Sequence, residues 1–381
     1  MSIKRNLRKE LLKYRDKIPV IAIIGARQVG KSTLAKSLMG KDEPAIYIDL
    51  EKASDRLLIS DIEAFLILNK DKTIIIDEIQ FVPEVFQEMR SFVDEYPDSK
   101  FLILGSSSPE LLRQSSESLA GRVYYFELTA FLWNEIKEIT TMPNYRLVGG
   151  LPRSILSKTP EDSFMWIQNF ITTFLERDLR NFGFNIPPET LRRLWRMLAH
   201  LNGELLNVSK LGSSMGMSHT TISEYVAILK NTFMIRVLEP YHANLKKRLI
   251  KTPKVYLRDT GILHSLLKIE TQDDLFYHPG YGASWEVTVI ENVIAKYNGW
   301  EPSFFRTANG NEIDLVLTKA NRVIAIEIKS SNTPKLTRGF WVALADIKAT
   351  EAYVIAPVRM PFPMKNDVMV YPLPAFLAKE I

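Results

Sequence analysis

Residues Gly25 to Ser32 read G-A-R-Q-V-G-K-S, and this octapeptide restricts the possible folds more than any other stretch of the chain. An apolar run, Val20 to Ile24, leads into it, and a helix-forming stretch, Thr33 to Met39, follows. Strand, glycine-bearing loop and helix in that order make a phosphate-binding loop. Gly25 and Gly30 let the backbone turn its N–H groups onto phosphate oxygens. The candidate nucleotide-contacting residues are Gly25, Ala26, Arg27, Gln28, Val29, Gly30, Lys31, Ser32 and Thr33. Lys31 would reach the β- and γ-phosphates, and the Ser32 hydroxyl would ligate Mg²⁺.

A second motif belongs with the first. Thr73 to Glu78 reads T-I-I-I-D-E, and three consecutive isoleucines predict a strand buried on both faces. Asp77 falls where that strand leaves the sheet, the place for a carboxylate that holds Mg²⁺. Glu78 beside it can orient and deprotonate an attacking water. The acid pair therefore points to hydrolysis rather than to nucleotide binding alone.

Strand-like runs recur at Val20–Ile24, Ala45–Leu50, Thr73–Asp77, Phe101–Gly105 and Val123–Leu128, with helical patterns between them. This rhythm predicts a parallel sheet flanked by helices, with ligands beyond the carboxyl ends of its strands. The fourth strand ends in Gly105-Ser106-Ser107-Ser108. Ser106 and Ser107 are candidates to touch the γ-phosphate or the water, and a serine-rich turn is the other reading. Arg122, in S-L-A-G-R, is a candidate arginine finger, on a neighbouring copy of the chain; capping a loop and pairing with an acid are the alternatives.

Composition sets outer limits. A chain of 381 residues with 46% hydrophobic content has room for about two to four packed domains. Cysteine is absent, which excludes disulfides and thiolate metal sites. No apolar run approaches the length of a membrane span, so no membrane partner and a cytoplasmic location are expected. The net charge is +5, concentrated in two places. Residues 1–17 carry seven Lys/Arg against two acids, and residues 245–258 carry six and no acid. Phosphate-backbone contact and an ordinary solvated surface both account for such patches.

From Asn144 the strand rhythm gives way to helical patterns at Glu161–Leu179 and Pro188–His200, read as a helical lid. Val208 to Lys230 has helix-turn-helix order, with Ser218 capping the second helix and Ile222, Tyr225, Val226 and Leu229 as its buried stripe. The strand-like run Phe233–Leu238 follows as a wing would. The exposed face carries Glu224 and little positive charge, so DNA contact and packing between domains both remain open.

A second set of chemistry-bearing residues lies in the last third. On a helix from Trp285 to Tyr297, Glu286 shares a face with Ile290, Val293 and Tyr297, while Glu291 points away and is expected in solvent. Glu312 to Leu317 and Val323 to Lys329 alternate as strands joined by a four-residue turn. That hairpin sets Asp314 across from Glu327 and puts Glu327 and Lys329 on one face. Glu286, Asp314, Glu327 and Lys329 can then converge, with Asp314 and Glu327 as metal ligands and Lys329 orienting water. Retention of these residues for structure alone is the other reading.

On these segments the chain resembles prokaryotic AAA-like P-loop ATPases that carry a carboxy-terminal domain of unknown function with a winged helix and a PD-(D/E)XK nuclease-like fold. The matching stretches are Gly25–Ser32, Thr73–Gln80, Leu104–Ser107, Leu119–Arg122, Gly149–Pro152, the helix-turn-helix, Lys247–Gly261, Gly310–Asp314 and Ile326–Lys329. The resemblance implies an α/β class with a parallel sheet of the additional-strand type, order 5-1-4-3-2. It also implies ATP and Mg²⁺ as cofactors. The turn G-G-L-P at Gly149–Pro152 resembles the lid-start motif of signalling P-loop ATPases, which implies that Pro152 lies near the adenine. The expected division is an ATPase core at 1–143, a lid at 144–202, a winged helix at 203–258 and a nuclease-like domain at 259–381. Apart from Arg153, no second sensor arginine is assignable in the lid, which argues against a processive motor.

Two functional expectations follow. The leading one is an ATP-hydrolysing protein associated with DNA. Lys31, Ser32, Asp77, Glu78, Ser106 and Arg122 would serve the ATP, and the carboxy-terminal domain would bind or cut branched or broken DNA, with Glu286, Asp314, Glu327 and Lys329 carrying the Mg²⁺-dependent step. The other is a nucleotide-driven switch that forms homo-oligomers, whose carboxy-terminal domain senses or binds a partner without cutting.

Overall fold

The computed structural model describes residues 3–40, 43–108, 121–241 and 249–380. The chain packs as two compact units. Unit 1 is Met1–Phe131 with Thr173–Ile186 and Ala227–Met234; unit 2 is Leu132–Thr172, Pro187–Val226 and Ile235–Ile381.

Unit 1 is built on a five-stranded parallel sheet. Its strands are β1 (Val20–Ile24), β2 (Ala45–Asp49), β3 (Thr73–Asp77), β4 (Lys100–Gly105) and β5 (Val123–Glu127), in the order β2-β3-β4-β1-β5. This is the order the resemblance implies, read from the other edge. V-I-A-I-I and T-I-I-I-D have no polar alternation because helices cover both faces, and all five residues of β1 are buried. On one face Ile74, Ile76 and Ile103 pack with Phe86, Met89 and Phe92 of the helix Val85–Glu95 and with Phe233. Phe86 is fully buried in that cluster. Truncating such a side chain to alanine costs about 3–5 kcal/mol.

Unit 2 is helical at first. It then carries Val208–Met215, a left-handed turn at Gly216 (φ 68) and the start of His219–Asn231, whose Thr221 N–H bonds to the Ser218 hydroxyl at 3.1 Å. The antiparallel ribbon β6 (Ile235–Leu238) and β7 (Lys254–Leu257) follows. The last part is a six-stranded mixed sheet of order β12-β13-β11-β10-β9-β8. It comprises β8 (Glu301–Arg306), β9 (Glu312–Lys319), β10 (Arg322–Ile328), β11 (Glu351–Ile355), β12 (Phe362–Pro363) and β13 (Met369–Tyr371). The helix Arg338–Ile347 covers one face of this sheet through Phe340, Ala343 and Ile347.

Two sequence expectations need correction here. The β9–β10 turn is Ala320-Asn321, two residues rather than four, with Ala320 in the left-handed region at φ 52. Its register, Arg322↔Lys319 through Ile326↔Leu315, nonetheless runs toward an Asp314–Glu327 pair. Glu291 is not in solvent. It is 8% exposed and accepts from Arg236 Nη2 (2.9 Å) and Arg258 Nε (3.1 Å). Burial pushes its carboxyl up, but the two guanidiniums overcome this and hold it below its ordinary value. The helix Tyr281–Lys296 is buried on most sides, so it has no solvent face for Glu291 to occupy.

Candidate functional site

The phosphate loop lies at the carboxyl end of β1. Its backbone alternates hand: Gly25 has φ 153, Gln28 φ 63 and Gly30 φ 98. Such alternation turns successive N–H groups inward as an anion-binding nest. Gly25 has a further reason to lack a side chain, because a Cβ there would meet the Leu128 carbonyl oxygen at 2.2 Å. Arg5 braces the loop from outside, donating to the Val29 carbonyl (2.8 Å) and the Thr129 carbonyl (2.6 Å).

Lys31 opens the helix Lys31–Leu38 and is 5% exposed. Its ammonium donates to the carbonyls of Gly25 and Ala26 (both 3.0 Å) and to Ser106 Oγ (2.8 Å). Burial pulls its pKa down, with Glu78 and Asp77 opposing. Ser106 Oγ in turn donates to Glu78 Oε1 at 3.1 Å. Glu78 itself sits in the left-handed region at φ 54, a conformation uncommon for a residue with a side chain, just where β3 ends. Ser32 Oγ donates to Asp77 Oδ2 at 2.6 Å, and Asp77 Oδ1 accepts the Glu78 amide at 2.9 Å. A buried ammonium held by neutral oxygens, a nest of amides and a facing hydroxyl–carboxylate pair fit a Mg²⁺–triphosphate group.

The structure adds two residues that the motifs did not reveal. Tyr47, on β2, directs its hydroxyl at Asp77 Oδ2. Nothing in the sequence of β2, A-I-Y-I-D, marks it. Asp178, from the segment Phe174–Asp178, pairs with Arg27 of the loop, which Glu51 also holds at 2.9 Å. Arg27 thus contributes its backbone to the loop while its side chain is engaged by acids. Arg122 is bound to Asp94 through Nε at 2.7 Å and Nη2 at 2.9 Å, the pairing alternative of the sequence reading. Leu119 and Ala120 of the same motif lie outside the described residues.

In unit 2, Pro152 begins the short helix Pro152–Ile155. The preceding turn is clamped by the buried Asp259, which accepts from Gly150 N at 2.8 Å and Ile262 N at 3.1 Å. A Cβ at Gly149 (φ 77) would meet Asp259 Oδ1 at 2.2 Å, and one at Gly261 would meet the Val148 carbonyl oxygen at 2.3 Å. The G-G-L-P and R-D-T-G stretches, far apart in sequence, are two halves of one packed joint.

The carboxy-terminal candidates do come together. Asp314 Oδ2 accepts from Ile328 N at 2.8 Å, and Lys329 Nζ donates to Glu327 Oε1 at 2.6 Å. Glu286 Oε2 accepts from Tyr256 OH at 3.1 Å. The sequence reading missed Lys254. It is 3% exposed, and its ammonium lies 2.5 Å from Glu312 Oε1 and 3.9 Å from Asp314 Oδ1. Burial and the Asp314 charge push Glu286 and Glu327 up to about 8 each. Burial pulls Lys254 down, but Asp314, Glu312 and Glu286 together leave it above its ordinary value. Among the described residues no group of three or more His, Asp or Glu side chains is gathered so as to hold a metal ion. Asp314 and Glu327 each face a lysine, Lys254 at 3.9 Å and Lys329 at 2.6 Å, and as a pair of carboxylates they would hold Mg²⁺ only with water completing its shell.

The basic patches also change meaning. Lys254 is buried and Arg258 half-buried in ion pairs, and Arg5 and Arg15 serve the fold of unit 1. Lys246, Lys247 and Arg248 lie outside the described residues. No described helix is long and apolar enough to cross a membrane.

The sheet order, the loop and the acids at the end of β3 define unit 1 as a P-loop ATPase domain of the AAA type, and a family model described as an AAA domain matches residues 17–137. Two models described as domains of unknown function, DUF8612 and DUF4143, match residues 139–273 and 281–376. The uncharacterized protein Rv2008c of Mycobacterium tuberculosis is 36% identical over 370 residues, covering 97% of this chain and 83% of its own length. An uncharacterized protein of Haemophilus influenzae is 22% identical over 363 residues, covering 86% of each. Among solved structures, a Walker-type ATPase of Pyrococcus abyssi is 14% identical with a TM-score of 0.49, covering 70% of this chain and 96% of that one. The chain belongs to the same family as the Mycobacterium tuberculosis protein: an AAA domain followed by domains of unknown function.

Proposed function

We propose that this chain hydrolyses ATP as a nucleotide-driven switch, with unit 2 as a sensing or partner-binding body rather than a nuclease. The observation that carries the hydrolysis is the hydrogen-bonded chain Lys31–Ser106–Glu78 beside the Ser32–Asp77 pair. Lys31 would contact the γ-phosphate, and Ser106 would hold the attacking water against Glu78. The water oxygen bonds to the γ-phosphorus, its proton passes to the Glu78 carboxylate, and the bond to the bridging oxygen breaks to release ADP. Mg²⁺, held by Ser32 and Asp77, would neutralise charge on the β- and γ-phosphates.

Two features support the switch. The lid-start turn, itself in unit 2, is tied through Asp259 to the Thr260–Leu267 helix, so a change at the turn would pass to that helix. Lys254 sets a positive charge 3.9 Å from Asp314, beside the acids with which a nuclease would hold its metal.

One observation favours the DNA-cutting reading. Glu327 is 6% exposed, and its Oε2 has no hydrogen-bond partner, so a ligand at the cluster would satisfy it. In that reading the helix-turn-helix and the β6–β7 ribbon serve as a winged helix on DNA. ATP turnover of wild type and Lys31→Ala, with and without branched DNA and alongside a cleavage gel in Mg²⁺ and Mn²⁺, separates the two. The switch reading expects turnover lost in Lys31→Ala, no stimulation by DNA and no cleavage. DNA-stimulated turnover with cutting that Asp314→Ala removes would contradict it.

A further inference from the structure

We infer that Tyr47 is a positioning residue for the metal-binding carboxylate Asp77, fixing the direction in which that carboxylate presents its charge. The inference rests on the nucleotide site described above. Asp77 Oδ2 receives two hydroxyls, from Ser32 at 2.6 Å and from Tyr47. Its Oδ1 is taken by the Glu78 amide at 2.9 Å. The carboxylate is 4% exposed, so these three donors set its orientation.

Tyr47 can act this way because of its register. It lies on β2, hydrogen-bonded alongside β3, where Tyr47 pairs with Ile75 two residues before Asp77. Its ring is held from the other side by the Lys36 ammonium, 4.2 Å from the centroid, on the helix that Lys31 begins. One phenol therefore ties the edge strand, the metal-side acid and the phosphate-loop helix together. Hydrogen-bond donors behind a metal-binding carboxylate typically govern metal affinity by about 10- to 100-fold.

The test is a Mn²⁺ titration followed by electron paramagnetic resonance, with saturating ADP, on wild type and Tyr47→Phe. The substitution keeps the ring and removes only the hydroxyl. The expected result is a Mn²⁺ dissociation constant raised about tenfold in Tyr47→Phe, with ADP affinity in EDTA retained. Equal Mn²⁺ affinity in the two proteins would overturn the inference. So would a loss of ADP affinity in EDTA as large as the loss for Mn²⁺, since the hydroxyl would then shape the loop rather than aim Asp77. If wild type bound ADP but no Mn²⁺, the metal role of Ser32 and Asp77 would fall with it.

Discussion

At the scale of single residues, the phosphate loop and the acids at the end of β3 lie where the sequence places them, because their positions depend on local backbone. Gly25, Gly30 and Gln28 need only a strand in front and a helix behind to adopt left-handed φ values. Residues whose partners lie far away in sequence behave differently. Lys254 and Arg258 look like surface charge in a basic run, yet they pair with Glu312 and Glu291, Lys254 buried and Arg258 half-buried. Tyr47 had no signal, since only the β2–β3 register brings it to Asp77. His264 belongs to the same group. It is buried, its Nδ1–H donates to the Leu147 carbonyl (2.7 Å), its Nε2 accepts from the Ser284 hydroxyl (2.8 Å), and burial lowers its pKa to about 4, with Arg146 and His278 adding to the shift. The unfolded imidazole takes up a proton near its ordinary 6.5, and the folded one resists until about 4. Stability from this group is therefore present above pH 6.5 and lost as pH falls toward 4, about 3 kcal/mol in all. Unfolding free energies of wild type and His264→Gln, measured from pH 7 to 4.5, should converge as the pH falls. Parallel curves would show that His264 has the same pKa folded and unfolded, contrary to its burial.

At the scale of elements, the strands of unit 1 were legible because unbroken isoleucine and valine runs bear one meaning in a helix-covered parallel sheet. The helix Tyr281–Lys296 was misread because a wheel drawn on one apolar face presumes an opposite wet face. This helix instead buries Trp285, Val287, Val289, Ile290 and Asn292, and Glu291 survives there only by pairing with Arg236 and Arg258. Glu291→Ala would leave two guanidiniums without their carboxylate and should destabilise unit 2 by about 3–5 kcal/mol in chemical denaturation. A change below about 0.5 kcal/mol, typical of an exposed position, would reinstate the solvated reading. The β9–β10 hairpin was legible in register though not in loop length. Alternation fixes which side chains share a face, whereas Ala320 at φ 52 gives no glycine or asparagine-glycine signal for a two-residue turn.

At the scale of the whole molecule, the AAA domain and two domains of unknown function succeed one another along the chain, but the packing does not follow that order. Thr173–Ile186 and Ala227–Met234 belong with the ATPase unit and interrupt the stretch read as lid and winged helix. Asp178, carried by the first of these returns, holds Arg27 of the phosphate loop. A linear reading cannot anticipate such a return, since nothing local in Thr173–Ile186 marks it. The central claim is that unit 1 grips a triphosphate through Lys31 and hydrolyses it through Glu78. It is tested most directly by calorimetric titration of ATP with Mg²⁺ into the Glu78→Gln protein, followed by phosphate release from the same samples. The account predicts saturable binding heat with phosphate release slowed at least about 100-fold relative to wild type. Absence of binding heat in both wild type and Glu78→Gln, or release at the wild-type rate in Glu78→Gln, would contradict it.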